Sequence, residues 1–255
     1  MENEVTRDHT ERMLRWFGAQ SGTGRPEREP QGSRFATVNG PTQLAPHDVS
    51  IPGDISSAAY FIAASALLPD SEFEIVDVGL NPTRTAFLQE LRAMDFAVAV
   101  SEEREQCNEP VGKIRVQGPR TYREDVAPLT INGAIIPQLI DELPLLAVLG
   151  SQIQGGVEIR DAKELRVKES DRIASTVAGL RSMGCSVEEF ADGLRVDGPV
   201  KLRGAKIEAH GDHRIAMSFA IAGLLAKGET EIVGAECVAV SFPEFFDLLE
   251  AVVER

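Results

Sequence analysis

Apolar residues along this chain fall into two alternating kinds of stretch, one apolar on nearly every side and one apolar on a single face. Ser56 to Leu68, about Ile136 to Gly150, and Asp212 to Lys227 belong to the first kind and predict three buried helices. Thr6 to Gly18, Thr83 to Met94, Glu169 to Met183 and Phe242 to Val252 carry apolar residues at helical spacing and predict half-exposed helices. Between them lie runs with strand character: Phe73 to Val78, Val157 to Arg160 and Thr230 to Val233, then Ser186 to Glu189 and Gly193 to Val196.

This order recurs. Three strand ends share one ending, Asn39-Gly40-Pro41, Gln117-Gly118-Pro119 and Asp197-Gly198-Pro199, at intervals of 78 residues (41 to 119) and 80 residues (119 to 199). A fixed period with the same element order predicts an α/β fold built of repeated β-α-β-α-β-β units. Residues 1–47 hold only the second helix and closing strand of a unit, and the last unit stops after its second helix. The pattern is therefore that of the C-terminal portion of something longer: residues 1–47 as the remnant of a preceding lobe, residues 48–255 as a lobe of three units, the last incomplete. Gln20 to Ser33 is polar and turn-rich and reads as a mobile loop.

Composition narrows the function classes. At 255 residues, 43% hydrophobic and 26% charged, the chain is an ordinary globular protein of one or two domains. A formal charge of −14 and a pI near 4.8 argue against nucleic acid or an anionic membrane as the main partner. Cys107, Cys185 and Cys237 lie far apart, form no CxxC pair and share no metal-ligand spacing with the four histidines, so they read as inert thiols. With no leader pattern and no apolar run of spanning length, the chain reads as cytosolic.

Against that negative background, four predicted helices open on a cation: at Thr6-Arg7-Asp8, Thr83-Arg84-Thr85, Lys168-Glu169-Ser170-Asp171-Arg172 and Gly211-Asp212-His213-Arg214. A helix N-terminus already carries partial positive charge, so a cation there costs stability unless an anion compensates it. Repetition of that cost points to a phosphate or carboxylate ligand. Lys168 and Arg172, four apart, would share a helix face and repel. Glu169 between them is either a proton-exchanging group or simply a partner for the dipole. Asp212 suits an N-cap, and Arg214 at the mouth of a buried helix suits bidentate anion recognition. Asp141 and Glu142 interrupt an apolar stretch; one reads as a cap before Pro144, and a carboxyl there would have its pKa raised, as a base requires. Pro52-Gly53-Asp54-Ile55-Ser56-Ser57 is a helix entry with Asp54 or Ser56 as cap, has no cation and reads as structural or hinge-forming, while Arg84 could meet Glu90, Asp77 or a ligand.

Taken together, Arg166-Val-Lys-Glu-Ser-Asp-Arg172, Gly211-Asp-His-Arg-Ile-Ala-Met217, Pro52-Gly-Asp-Ile-Ser-Ser57, Asn81-Pro-Thr-Arg-Thr85 and Ser241-Phe-Pro-Glu-Phe245 resemble the 5-enolpyruvylshikimate-3-phosphate synthase family. Arg7-Asp-His-Thr-Glu11 and Ile140-Asp-Glu-Leu-Pro144 are similar to its bacterial branch linked to glyphosate tolerance. The sister enolpyruvyl transferase of peptidoglycan synthesis shares the fold but not the Val-Lys-Glu-Ser-Asp-Arg string. The resemblance implies one lobe of the enolpyruvyl transferase fold, an inside-out α/β barrel. It implies transfer of the enolpyruvyl group from phosphoenolpyruvate to the 5-hydroxyl of shikimate 3-phosphate, in the cytoplasm, without metal or organic cofactor.

Residue by residue, the resemblance implies that Asp141 faces the 5-hydroxyl as base or hydrogen-bond partner, and that Glu169 handles the proton at the phosphoenolpyruvate methylene. Lys168 would contact the shikimate hydroxyls and shuttle protons, Arg172 and Arg214 would hold the phosphoenolpyruvate carboxylate, and Arg7 would lie beside the shikimate phosphate. Two departures stand out. Val240-Ser241 replaces a phosphate-binding lysine of many members, and the N-terminal lobe that supplies the opposing cations is missing.

Overall fold

Why the three all-apolar helices are buried together is plain from the computed structural model, which describes residues 6–24, 35–119 and 129–253. In chain order the elements are α1 (His9–Trp16), β1 (Ser21–Gly24), β2 (Phe35–Val38), α2 (Ile55–Leu67), β3 (Glu72–Gly79), α3 (Ala86–Ala93), β4 (Ala97–Gln106) and β5 (Glu109–Gln117). There follow β6 (Leu129–Ile131), α4 (Ile136–Leu139), α5 (Leu143–Gly150), β7 (Val157–Ile159), α6 (Arg172–Ser182), β8 (Val187–Phe190) and β9 (Gly193–Val196). Last come β10 (Lys206–Glu208), α7 (His213–Leu225), β11 (Glu231–Val233) and α8 (Phe245–Val252).

The repeat is visible in the strand pairing. In the second unit the sheet runs β6-β7-β9-β8, with β6 parallel to β7 and the other pairs antiparallel. The first unit has β3-β5-β4 in the same order, and its opening strand is reduced to a single parallel bridge, Gly53 to Val78. The third shows the parallel pair β10 and β11. A parallel pair cannot be joined by a tight turn, so each needs a crossover helix. Those crossovers are α2, the α4–α5 pair and α7. Apolar on all sides, they pack against one another at the centre and form the core with the inner sheet faces. Phe61, Phe73, Phe242 and Phe245 pack their rings 5.7–6.0 Å apart, closing the third unit onto the first.

The Gly-Pro ending has a steric reason. A Cβ on Gly118 would lie 2.0 Å from the Leu68 carbonyl oxygen, and one on Gly198 would lie 2.4 Å from that of Gly150. Both glycines bring a strand end against the C-terminus of a buried helix, which leaves no room for a side chain.

Three expectations need correction. The stretch from Ile136 to Gly150 is not one helix: its axis bends by 107° between the turn that ends at Leu139 and α5. Ser21–Gly24, expected within a loop, pairs antiparallel with Phe35–Val38; the rest of that expected loop lies outside the described residues. The four half-exposed helices each begin three residues later than the periodicity suggests, at His9, Ala86, Arg172 and Phe245, because Asp8, Thr85, Asp171 and Glu244 occupy the N-cap positions. Arg7, Arg84 and Lys168 therefore stand in the turns before helices, and Lys168 and Arg172 do not share a helix face. Among the described residues, no single helix is long and apolar enough to cross a membrane.

Candidate active site

Polar groups concentrate where the N-terminal turns of α2, α5 and α7 meet. Asp54 caps α2 by accepting from the Ser57 amide at 3.0 Å, and Asp212 caps α7 by accepting from the Arg214 amide at 2.9 Å. Glu142 occupies the N-cap position of α5 without capping it; neither acid of the Asp141-Glu142 pair is a side-chain cap. Instead Glu142, 3% exposed, accepts from the Ser56 hydroxyl and so ties α5 to α2.

Arg172, the first residue of α6, is 1% exposed, an unusual place for a guanidinium. Three carboxylates surround it. Its Nε donates to Asp212 Oδ2 at 2.8 Å, one terminal nitrogen reaches Glu169 Oε2 at 2.5 Å, and the other reaches Asp141 Oδ1 at 3.5 Å. A buried charge persists only when it is paired and hydrogen-bonded in this way.

Asp141 is the meeting point. Besides Arg172 it pairs with Arg7, arriving from the turn before α1, and with Arg214 on α7 at 3.8 Å. Burial pushes its carboxyl up, but Arg214, Arg7 and Arg172 outweigh that and hold it below the usual carboxylate range. The raised carboxyl is its neighbour: burial lifts Glu142 above the ordinary value, only partly opposed by Ser56 and Arg214. The expectation of a raised carboxyl thus fits the second acid of the pair, because no arginine is bonded to it.

Arg214 keeps its buried Nε without a hydrogen-bond partner, so its donor capacity is incompletely used. Beside it sits the buried Tyr60 phenol, pushed up to about 12 by burial against the opposing influence of Arg214. Glu169, half exposed, leans on Arg172. Lys168 points elsewhere: extended at its backbone, it pairs with Glu164 four residues back rather than with the Asp141 cluster. Of the six residues singled out from sequence, Arg7, Asp141, Glu169, Arg172 and Arg214 form one connected ionic cluster, and Lys168 stands beside it in sequence only.

Sequence reasoning missed Ser56. The Pro52–Ser57 segment lacks a cation of its own, but Arg84 supplies one from another segment, bonding to Ser56 Oγ and approaching Asp54 at 3.4 Å. Neither Glu90 nor Asp77 is its partner; Asp77 is taken by Arg104. No sequence signal marked this, since the partners are 28 and 30 residues apart. In the ionic cluster Arg172 is buried while Arg7 and Glu169 are about half exposed, so the cluster forms a wall with one solvent-facing side. Such a wall, with three arginines at helix N-termini and two carboxylates among them, can orient anions and exchange protons.

Known proteins share this arrangement of sequence and fold. Residues 1–249 match the family EPSP synthase (3-phosphoshikimate 1-carboxyvinyltransferase). The 3-phosphoshikimate 1-carboxyvinyltransferase of Koribacter versatilis is 50% identical over 98% of this chain and 56% of its own length. That of Desulfitobacterium hafniense is 45% identical over 98% and 54%. The chain spans about half the length of these curated relatives. EPSP synthase from Acinetobacter baumannii superposes with a TM-score of 0.86 at 36% identity, covering 99% of this chain and 56% of that one. The enolpyruvyl transferase NikO from Streptomyces tendae, at 21% identity and a TM-score of 0.66, shares the fold. With its repeated units and the match over residues 1–249, the chain belongs to the EPSP synthase family.

Proposed function

We propose that this chain supplies one wall of the active site of a 3-phosphoshikimate 1-carboxyvinyltransferase. The reaction moves the enolpyruvyl group of phosphoenolpyruvate to the 5-hydroxyl of shikimate 3-phosphate and releases phosphate, a step of the shikimate pathway toward chorismate and the aromatic amino acids. The observation that carries this reading is the convergence of Arg7, Arg172 and Arg214 on Asp141, with Glu169 on the same arginine.

In this reading Asp141, kept ionised by three arginines, takes the 5-hydroxyl proton as that oxygen adds to C2 of phosphoenolpyruvate, and the proton leaves with the departing phosphate. Glu169 gives a proton to the methylene carbon and takes it back as phosphate leaves. Arg172 is already oriented by Asp212, and Arg214 points a terminal nitrogen toward Asp141 at 3.8 Å; together they hold the carboxylate of phosphoenolpyruvate. Arg7 exchanges its bond with Asp141 for the shikimate phosphate. Lys168 must swing away from Glu164 to reach the shikimate hydroxyls; the pair is exposed and costs under about 1 kcal/mol to break. Preorganised cations stabilise the charge that develops on the departing phosphate.

The open wall bears on activity. A single wall positions substrates from one side, and loss of the opposing donors costs several orders of magnitude in rate. This chain alone should then show little turnover, residues 48–255 forming the C-terminal lobe and residues 1–47 a piece of the other. A phosphate-release assay with both substrates tests this directly: near-normal turnover by the isolated chain would refute it. A second reading, the non-catalytic half of a split synthase, is favoured by the same open wall. It predicts restored turnover when a complementary N-terminal polypeptide is added.

A further inference from the structure

Arg7 belongs to no regular element, yet its guanidinium has to meet Asp141, 134 residues away. What fixes it is the residue that follows it, Asp8, at the N-cap position of α1. Asp8 makes no capping bond with its side chain. Its Oδ1 instead accepts from Arg12 Nε at 2.9 Å and from Asn81 Nδ2 at 2.7 Å.

Asn81 is 1% exposed, and all four of its hydrogen-bonding sites are used. Its Nδ2 donates to Asp8 and, at 3.0 Å, to Glu109 Oε2 beside the β4–β5 turn. Its Oδ1 accepts from the Thr83 amide at 2.9 Å and from the Thr83 hydroxyl at 2.7 Å. The amide cannot be reversed, because its carbonyl faces two donors and its nitrogen faces two carboxylates. An aspartate there would set three carboxylates together, and a glutamine would break the short Asx turn onto Thr83. Glu109 also receives His9 at 2.7 Å, so the first turn of α1 is held at two successive residues. Farther along α1, Arg12 bonds to the Asn108 carbonyl at 3.0 Å and Trp16 to that of Asp48 at 3.2 Å. The Trp16 contact anchors the body of the helix away from its start, whereas Arg12 bonds to both Asp8 and the Asn108 carbonyl and so backs the clamp that Asn81 makes.

We infer that Asn81 is a positioning residue that, by clamping Asp8 to the body of the lobe, holds Arg7 in register against Asp141. It touches neither Asp141 nor the anion-binding arginines and acts through α1. Its consequence for substrate binding rests on the function proposed above; the clamp itself does not.

The test has two arms on the full chain. In the first, the side-chain carboxyl of Asp141 is titrated by carbon-detected NMR without ligand. Removing Arg7 in Arg7→Ala should raise its midpoint, and Asn81→Ala should raise it by the same amount. Asp8→Asn should raise it too, although deleting a nearby negative charge would by itself lower it. Neither change should add to Arg7→Ala, as expected when both act through one group. An unmoved midpoint in Asn81→Ala, or an additive double variant, overturns the inference; so does an unmoved midpoint in Arg7→Ala. A clamp that served stability alone would lower Tm and leave the midpoint in place. Should Asn81→Ala not fold, the partly exposed and nearly isosteric variant Asp8→Asn decides. In the second arm, shikimate 3-phosphate is titrated calorimetrically, and Asn81→Ala should bind about tenfold more weakly. No binding by the unaltered chain would count against the proposed function and leave the midpoint to judge the clamp.

Discussion

The same three helices end in two very different ways. At their N-terminal pole α2, α5 and α7 are met by Ser56, Glu142, Arg172, Asp212 and Arg214, several of them fully buried. At the other pole a cavity of about 610 Å³ is lined mainly by apolar residues such as Leu67, Ile153, Val200, Leu202 and Leu225, with Pro119 and Pro199 of the repeated ending. A helix offers bare N–H groups and partial positive charge at one end, and carbonyl oxygens at the other. The protein puts its costly ionisable groups where the dipoles favour anions, and closes the opposite ends with glycine backbone and prolines. Ionisable groups and apolar closure are thereby divided between two ends of one core.

The sharpest way to break this contrast is at the charged pole. Asp212→Ala strands the buried Arg172 without its one fully buried carboxylate partner and should cost roughly 3–5 kcal/mol in urea unfolding at pH 7. The same pole should respond to acid. Asp141 and Asp212 have folded pKa values below the ordinary 3.8, so the stability they give is present above that value and is lost as pH falls through the lowered ones. Asp212→Asn should flatten that part of the acid limb; an unchanged limb would mean other carboxylates control it.

At the apolar pole, Gly118→Ala drives a methyl group into the Leu68 carbonyl and should cost about 1–3 kcal/mol while leaving anion binding intact. If anion affinity fell along with stability, the division between the poles would be false. Smaller is Glu142→Gln, which keeps the acceptor for Ser56 and removes a carboxyl whose folded pKa lies above the ordinary 4.5. Glu142 favours the folded state below pH 4.5, and that contribution fades as pH rises through the raised value. The variant should therefore raise stability at pH 7, by on the order of 1 kcal/mol, and remove that slope from the unfolding profile. Least of all, Lys168→Ala should shift Tm hardly at all, since its exposed pair with Glu164 contributes about 0.5 kcal/mol.

Periodicity made the repeat readable because burial on every side leaves an unmistakable trace in α2 and α7, and two of the three Gly-Pro endings, at Gly118 and Gly198, have a steric reason that Gly40 lacks. It failed at the break in α4–α5, where apolar residues on both sides hide a 107° bend. It also placed Lys168 on a helix, because spacing alone does not distinguish a residue in the first turn from one in the approach to the cap. Among the site residues, cations at helix starts were legible as a pattern. Which carboxylate each would meet was not: Arg84 finds Ser56 and Asp54 rather than Asp77 or Glu90.

By itself the sequence determined the repeated order of elements, the buried helices α2 and α7 and the family, since apolar periodicity and backbone-restricted glycines act locally and leave their mark in the chain. Only tertiary structure decided that Arg7, Arg172 and Arg214 share one carboxylate, that Asp141 is held ionised while Glu142 beside it is not favoured as an anion, and that Asn81 holds α1 to the lobe. Those outcomes depend on distances across parts of the chain remote in sequence, and electrostatic interaction follows distance in space, not separation along the chain.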